Sequence, residues 1–147
     1  MHVSSGEPSV VHRFALRLYL IMISVILLLI VVEGALIGPS LFIATHFGRT
    51  IHGDLGGLLL LLALLVPVVS GLSRLPGRMT LPGVVLFALT LIQAMSAALG
   101  RRFLVLAALH PANALLMAAL AMLLLMRAWQ MMRQRSDEVK TSAGPPS

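Results

Sequence analysis

The chain contains no cysteine. That removes disulfides, thiolate-bound metals, iron–sulfur clusters and cysteine nucleophiles, and leaves histidine as the strongest soft ligand on offer. Charge is scarce as well. Asp, Glu, Lys and Arg are 11% of the residues against 59% hydrophobic, a balance too oily for an ordinary water-dissolved domain. The net charge of +6 could point to nucleic acid, but the basic residues sit beside apolar runs instead of forming a stripe with interleaved aromatics. Nucleic acid is therefore not expected as a partner; the lipid bilayer is. With 147 residues there is no room for a second domain.

The hydropathy pattern divides the chain into a mobile N-terminal tail (1–12), a transmembrane domain (13–128) and a basic, disordered C-terminal tail (129–147). The run Leu18 to Leu36 is apolar save for Ser24 and Glu33 and is long enough to cross a bilayer at about 1.5 Å per residue. It is longer than the core of a signal peptide and no small-residue cleavage pattern follows it, so it reads as a retained helix. Gly38-Pro39 is expected to end it. Residues 39–54 read as an interfacial loop or short surface helix, with Asp54 capping the second helix. That helix runs from Ile51 to Leu72 with a kink at Pro67. A basic turn, Ser73 to Arg78, leads to a third helix from Leu81 to Leu99, with Pro82 in its first turn. A fourth run covers Phe103 to Met126 and is interrupted by Pro111. The expected fold is all-α: an integral membrane antiparallel four-helix bundle.

An even number of spans puts the N-terminus, the second turn and the C-terminus on one side, together with Arg13, Arg17, Arg74, Arg78, Arg127, Arg133, Arg135 and Lys140. The other side holds Arg49, Arg101 and Arg102, eight basic residues against three. The positive-inside rule then makes both termini cytoplasmic, in a plasma membrane of prokaryotic type. Trp129 among its arginines reads as an interface anchor.

The remaining polar residues gather in the outer half: Glu33, His46, Arg49, His52, Asp54, Gln93, His110 and Asn113. Such groups are costly at membrane depth and by default face a bundle interior. Twenty-two residues separate His52 from Arg74 and seventeen separate His110 from Arg127, which places the histidines roughly 33 and 26 Å from the inner boundary at the helical rise. Small residues (Gly56, Ala63 and Ser70; Ala114, Ala118 and Ala121) descend below them and permit close helix approach. Two neutral imidazoles at similar depth beneath a cationic rim suit a haem. His52 and His110 bind the iron from both sides, Gly56 and Gly57 leave space for the ring, and Arg49, Arg101 and Arg102 pair with the propionates. Gln93 or Asn113 orients an imidazole through its second nitrogen. The bland alternatives are an interfacial helix-start residue for His52, a loop residue for His46, and packing for Met95 and Met117.

The order of a helix ending in Glu33, His52-x-x-x-Gly56 at the next helix start, Gln93 inside the third helix and His110 opening the fourth resembles one half of the haem A synthases and related four-helix membrane b-type cytochromes. The likeness covers roughly Glu33 to Met126. It implies haem b, with His52 and His110 as axial ligands in an antiparallel bundle. It does not imply synthase activity, since those enzymes have two such halves and many carry a cysteine pair that this chain lacks. Six-coordinate iron favours electron transfer, with quinone or a redox partner protein as donor or acceptor, over substrate chemistry; homo-oligomerisation stays open. The rival class is a cofactor-free accessory subunit or transporter component.

Overall fold

A computed structural model describes residues 10–42, 46–100 and 102–142. They form four helices: α1 (Val10–Phe42), α2 (His46–Leu72), α3 (Gly77–Leu99) and α4 (Leu104–Ser142), with no strand among the described residues. Each helix packs on its neighbours in sequence, and α4 closes the ring against α1, so that α1 and α3, and likewise α2 and α4, stand diagonally. All four are long and apolar enough to cross a membrane.

The buried positions recur at alternating steps of three and four. They run through Leu16, Tyr19, Ile23 and Ile26 on α1, then Leu59, Ala63, Val66 and Ser70 on α2. On α3 they are Met79, Gly83, Leu86 and Thr90, and on α4 Met117, Ala121, Leu124 and Ala128. This spacing keeps one seam of each helix turned inward. The outward faces are also apolar: Ile21, Val25 and Leu28, Leu61 and Leu65, Val84 and Val85, and Leu115 and Leu116 are all exposed. A helix that is hydrophobic on every side is suited to lipid outside the packed seam. The buried face of α4 passes through Asn113 and Met117, leaving Ala114 and Ala118 half-buried beside it.

Several helix ends differ from the hydropathy reading. α1 passes Gly38-Pro39 and continues to Phe42. Proline removes a single ladder bond, whereas leaving several main-chain groups unpaired in an apolar setting costs more. α2 begins at His46, so the expected loop is largely helix, His52 lies in the second turn and not at the helix start, and Asp54 is an exposed third-turn residue that caps nothing. α4 runs on to Ser142, so residues 129–142 are helical where a disordered tail is expected. α1 takes in residues 10–12 of the expected N-terminal tail, and residues 1–9 and 143–147 lie outside the described chain.

α3 starts at Gly77, which puts Pro82 in the second turn. Its missing N–H frees the carbonyl of Arg78, four residues back, and Arg127 Nη1 donates to that oxygen at 3.2 Å, tying α4 to the start of α3. At the same end the buried Tyr19 hydroxyl donates to the Met79 carbonyl at 3.1 Å, across the diagonal from α1 to α3. The α2–α3 turn is closed by Leu75 N donating to Ser70 O at 2.8 Å and Arg74 N donating to Gly71 O at 3.0 Å, the double bond of a Schellman cap. Arg74 holds the left-handed position at φ 50°, and the buried Leu75 supplies the apolar contact that accompanies such a cap.

α2 and α3 approach closely where Gly83 faces Pro67. A Cβ on Gly83 would stand 2.9 Å from Val66 Cγ1 and 3.6 Å from the Pro67 nitrogen. Gly83→Leu therefore has no room, and a loss of about 1–3 kcal/mol, the usual range for overpacking, is expected in the thermal or denaturant unfolding of the detergent-solubilised protein. An unchanged midpoint would mean that the two helices do not meet there.

Candidate functional site

Followed away from Tyr19 and Met79, the inward seams change from aliphatic to polar. On α1 the line from Ile23 and Ile26 reaches Glu33. On α2 the line from Ala63 and Leu59 reaches Gly56 and His52, and on α3 the line from Leu86 and Thr90 reaches Gln93 and Ser96. On α4 the line from Ala121 and Met117 reaches Asn113 and His110. The same three-and-four spacing that builds the core thus brings these side chains together at one end of the helix ring.

The two histidines belong to diagonal helices and meet across the core. Their ring centres are 6.1 Å apart and their planes are inclined by 67°. His110 is held at both nitrogens: Nε2 lies 3.1 Å from Gln93 Nε2 and Nδ1 lies 3.0 Å from Ser96 Oγ. The protonation pattern follows from the main-chain carbonyls. Asn113 Nδ2 donates to Leu89 O at 2.9 Å and to Gln93 Oε1 at 2.7 Å, which turns the Gln93 amide nitrogen toward His110. An amide nitrogen only donates, so His110 Nε2 accepts and the ring proton sits on Nδ1. Ser96 Oγ accepts that proton and passes its own to Gln93 O at 2.9 Å. The network makes His110 an Nδ1–H tautomer with its Nε2 lone pair directed into the cluster.

The α1–α2 side has the opposite character. Among the described residues, His52 Nδ1 and Glu33 Oε1 are buried without a hydrogen-bond partner. Glu33, only 8% exposed, lays Oε1 over Gly56, where a Cβ would stand 3.4 Å from that oxygen. Buried polar atoms are nearly always paired, so two orphans beside one another call for an explanation such as a missing ligand or ion. A side chain on Gly57 or Gly53 would meet nothing within 4 Å, but both are exposed on the outer side of α2, so the expected space beside Gly57 lies outside the helix ring and that over Gly56 is taken by Glu33.

The sequence-predicted residues divide accordingly. His52, His110, Gly56, Gln93 and Asn113 come together. Arg102 is exposed in the α3–α4 turn. Arg101 lies outside the described residues, as do the side chains of Arg49 and His46, so the expected cationic rim rests on Arg102 alone among the described side chains. Gln93 meets Nε2 of His110, and the partner of the other ring nitrogen is Ser96, a residue that sequence reasoning passed over. The available signal was its place three residues beyond Gln93 on one helical face.

Among the described residues no three His, Asp or Glu side chains converge on a point that would hold a metal ion. No protein-family model matches this chain, nor does any curated protein or solved structure. Fold and site define the class between them: an all-α protein with four helices of membrane-crossing length and a half-buried histidine pair bridging the diagonal at one end.

Proposed function

We propose that the chain is an integral membrane protein, an antiparallel four-helix bundle with both termini cytoplasmic, in which His52 and His110 hold the iron of a b-type haem for electron transfer. The observation that carries this reading is the facing of two imidazoles from diagonal helices at 6.1 Å between ring centres. Rings this close could both reach one metal ion, which His52 and His110 would then hold from two helices. With two donors among the described residues, the other ligands of such a metal would come from a macrocycle.

The chemistry of the donors fits. His52 bonds the Glu33 main chain while its Nδ1 has no partner among the described residues, and His110 Nε2 accepts from Gln93, so each ring turns one unprotonated nitrogen toward the cluster, as a metal requires. Ser96 receives the Nδ1 proton of His110, which fixes ring orientation and raises ligand basicity in the manner of an outer-shell partner. Gln93 donates to His110 Nε2, so its amide would have to turn aside for that nitrogen to bind a metal. Gly56 places no side chain of its own beside His52, and the Glu33 carboxyl that covers it would have to give way to a bound ring. Arg102 would supply positive charge for the propionates. When bound, the haem supplies one-electron transfer, and quinone or a redox protein is the exchange partner. A cofactor-free accessory or transporter subunit has use for the closed network around His110, but none for the orphaned atoms of His52 and Glu33.

Titration of the haem-free protein with haemin in detergent tests the reading. One equivalent is expected to bind with the spectrum of six-coordinate low-spin iron. Uptake no greater than that of the micelles alone would refute it.

A further inference from the structure

A second feature lies at the opposite end of the helices, where α4 runs on past the α2–α3 turn. Trp129, Met132, Arg133, Ser136 and Asp137 line a cleft of about 440 Å³. They are spaced so that one helical face carries them all. The Arg133 guanidinium lies 5.3 Å from the centre of the Trp129 ring, so it leans back along the helix toward the apolar segment. Asp137 stands one turn further out. The Ser136 hydroxyl donates to Met132 O at 3.0 Å, which leaves its oxygen lone pairs available.

This end is strongly basic. The bonds from Tyr19 to Met79 O and from Arg127 to Arg78 O bring the start of α1, the α2–α3 turn and the second half of α4 to one level. Arg13, Arg17, Arg74, Arg78, Arg127 and Arg133 are all exposed there, and Asp137 is the one acid among the described side chains at that end. An arginine band flanked by a tryptophan is the composition of a cytoplasmic membrane boundary.

We propose that this cleft is a phospholipid site selective for a phosphoethanolamine headgroup. Groups follow one another along α4 in the order in which they follow one another along such a lipid. Trp129 and Met132 face the upper acyl chain and glycerol, Arg133 receives the phosphate through its guanidinium fork, and Asp137 receives the ammonium. A choline headgroup has no N–H to donate to Asp137, and the ring that could hold it by cation–π attraction is already covered by Arg133. A glycerol headgroup leaves Asp137 unpaired beside a phosphate. The inference rests on the membrane part of the proposed function and is independent of the haem.

Trp129 is the only tryptophan, so its fluorescence reports on the cleft directly. The full-length protein is reconstituted into vesicles in which either the phosphatidylethanolamine or the phosphatidylcholine carries brominated, quenching chains. At equal mole fraction the brominated ethanolamine lipid is expected to be enriched about fivefold around Trp129, the worth of one exposed charge pair. Asp137→Asn should abolish the preference over choline lipid, and Arg133→Gln should abolish selectivity altogether. Equal quenching by the two lipids, an undiminished preference in Asp137→Asn, or loss of the preference in millimolar inorganic phosphate would each overturn the proposal. Absence of quenching by any lipid would overturn the membrane reading itself and the lipid site with it.

Discussion

His52→Ala is expected to lose haem while keeping its fold, and His110→Ala to lose both haem and stability. The difference follows from what each ring does in the protein alone. His52 Nδ1 has no hydrogen-bond partner among the described residues, and the ring bonds only the main chain of Glu33, whose carbonyl lies within the α1 ladder, so removing the ring strands no side-chain polar group. His110 accepts from Gln93 and donates to Ser96, and its loss leaves the Gln93 amide without its acceptor in a buried network, at a cost of about 1–3 kcal/mol. Haem affinity should fall by more than about 100-fold in both variants, since outer-shell changes alone cost ten- to a hundredfold. Haemin titration and thermal unfolding of the two variants, run side by side, separate ligand loss from fold loss. Retention of low-spin haem by His52→Ala would assign the ligand elsewhere.

Glu33→Leu is expected to make the haem-free protein more stable, by about 1–3 kcal/mol, the usual penalty of a buried unsatisfied polar group. The carboxyl group continues an aliphatic seam, is 8% exposed and leaves Oε1 unpaired over Gly56. Leucine extends the line of Ile23 and Ile26 without a polar atom to satisfy. The unfolding midpoint in detergent checks this, and a lower midpoint than wild type would show that the carboxyl group is paired in the folded protein. A gain in stability would mark Glu33 as a residue kept for a purpose other than packing, as sites that break local rules usually are.

Much of the fold was legible because hydropathy governs it. Four apolar runs gave four helices, and the depth estimate from Arg74 and Arg127 put His52 and His110 near one level, where their rings meet. Prolines misled at the ends. Pro39 was read as a stop, yet α1 passes through it, because in an apolar setting one missing bond is cheaper than an unpaired strand of backbone. The same error set α2 at Ile51 instead of His46 and made Asp54 a cap. Residues 129–142 were read as a tail from their charge, although no proline or glycine in that stretch opposes a helix. Ser96 was overlooked because a serine in an apolar helix commonly returns its hydroxyl to the backbone. It does so here, at Gln93 O, and its lone pair still takes the His110 proton. No reading of one helix at a time finds such a double role, since the imidazole arrives from another helix.

The most direct measurement is the absorbance spectrum of the detergent-purified protein before and after dithionite, from cells with adequate haem supply. Sharp reduced α and Soret bands of a six-coordinate haem are predicted, carried by wild type and absent from His52→Ala. A colourless wild-type preparation would contradict the haem proposal and leave only the four membrane-length helices standing.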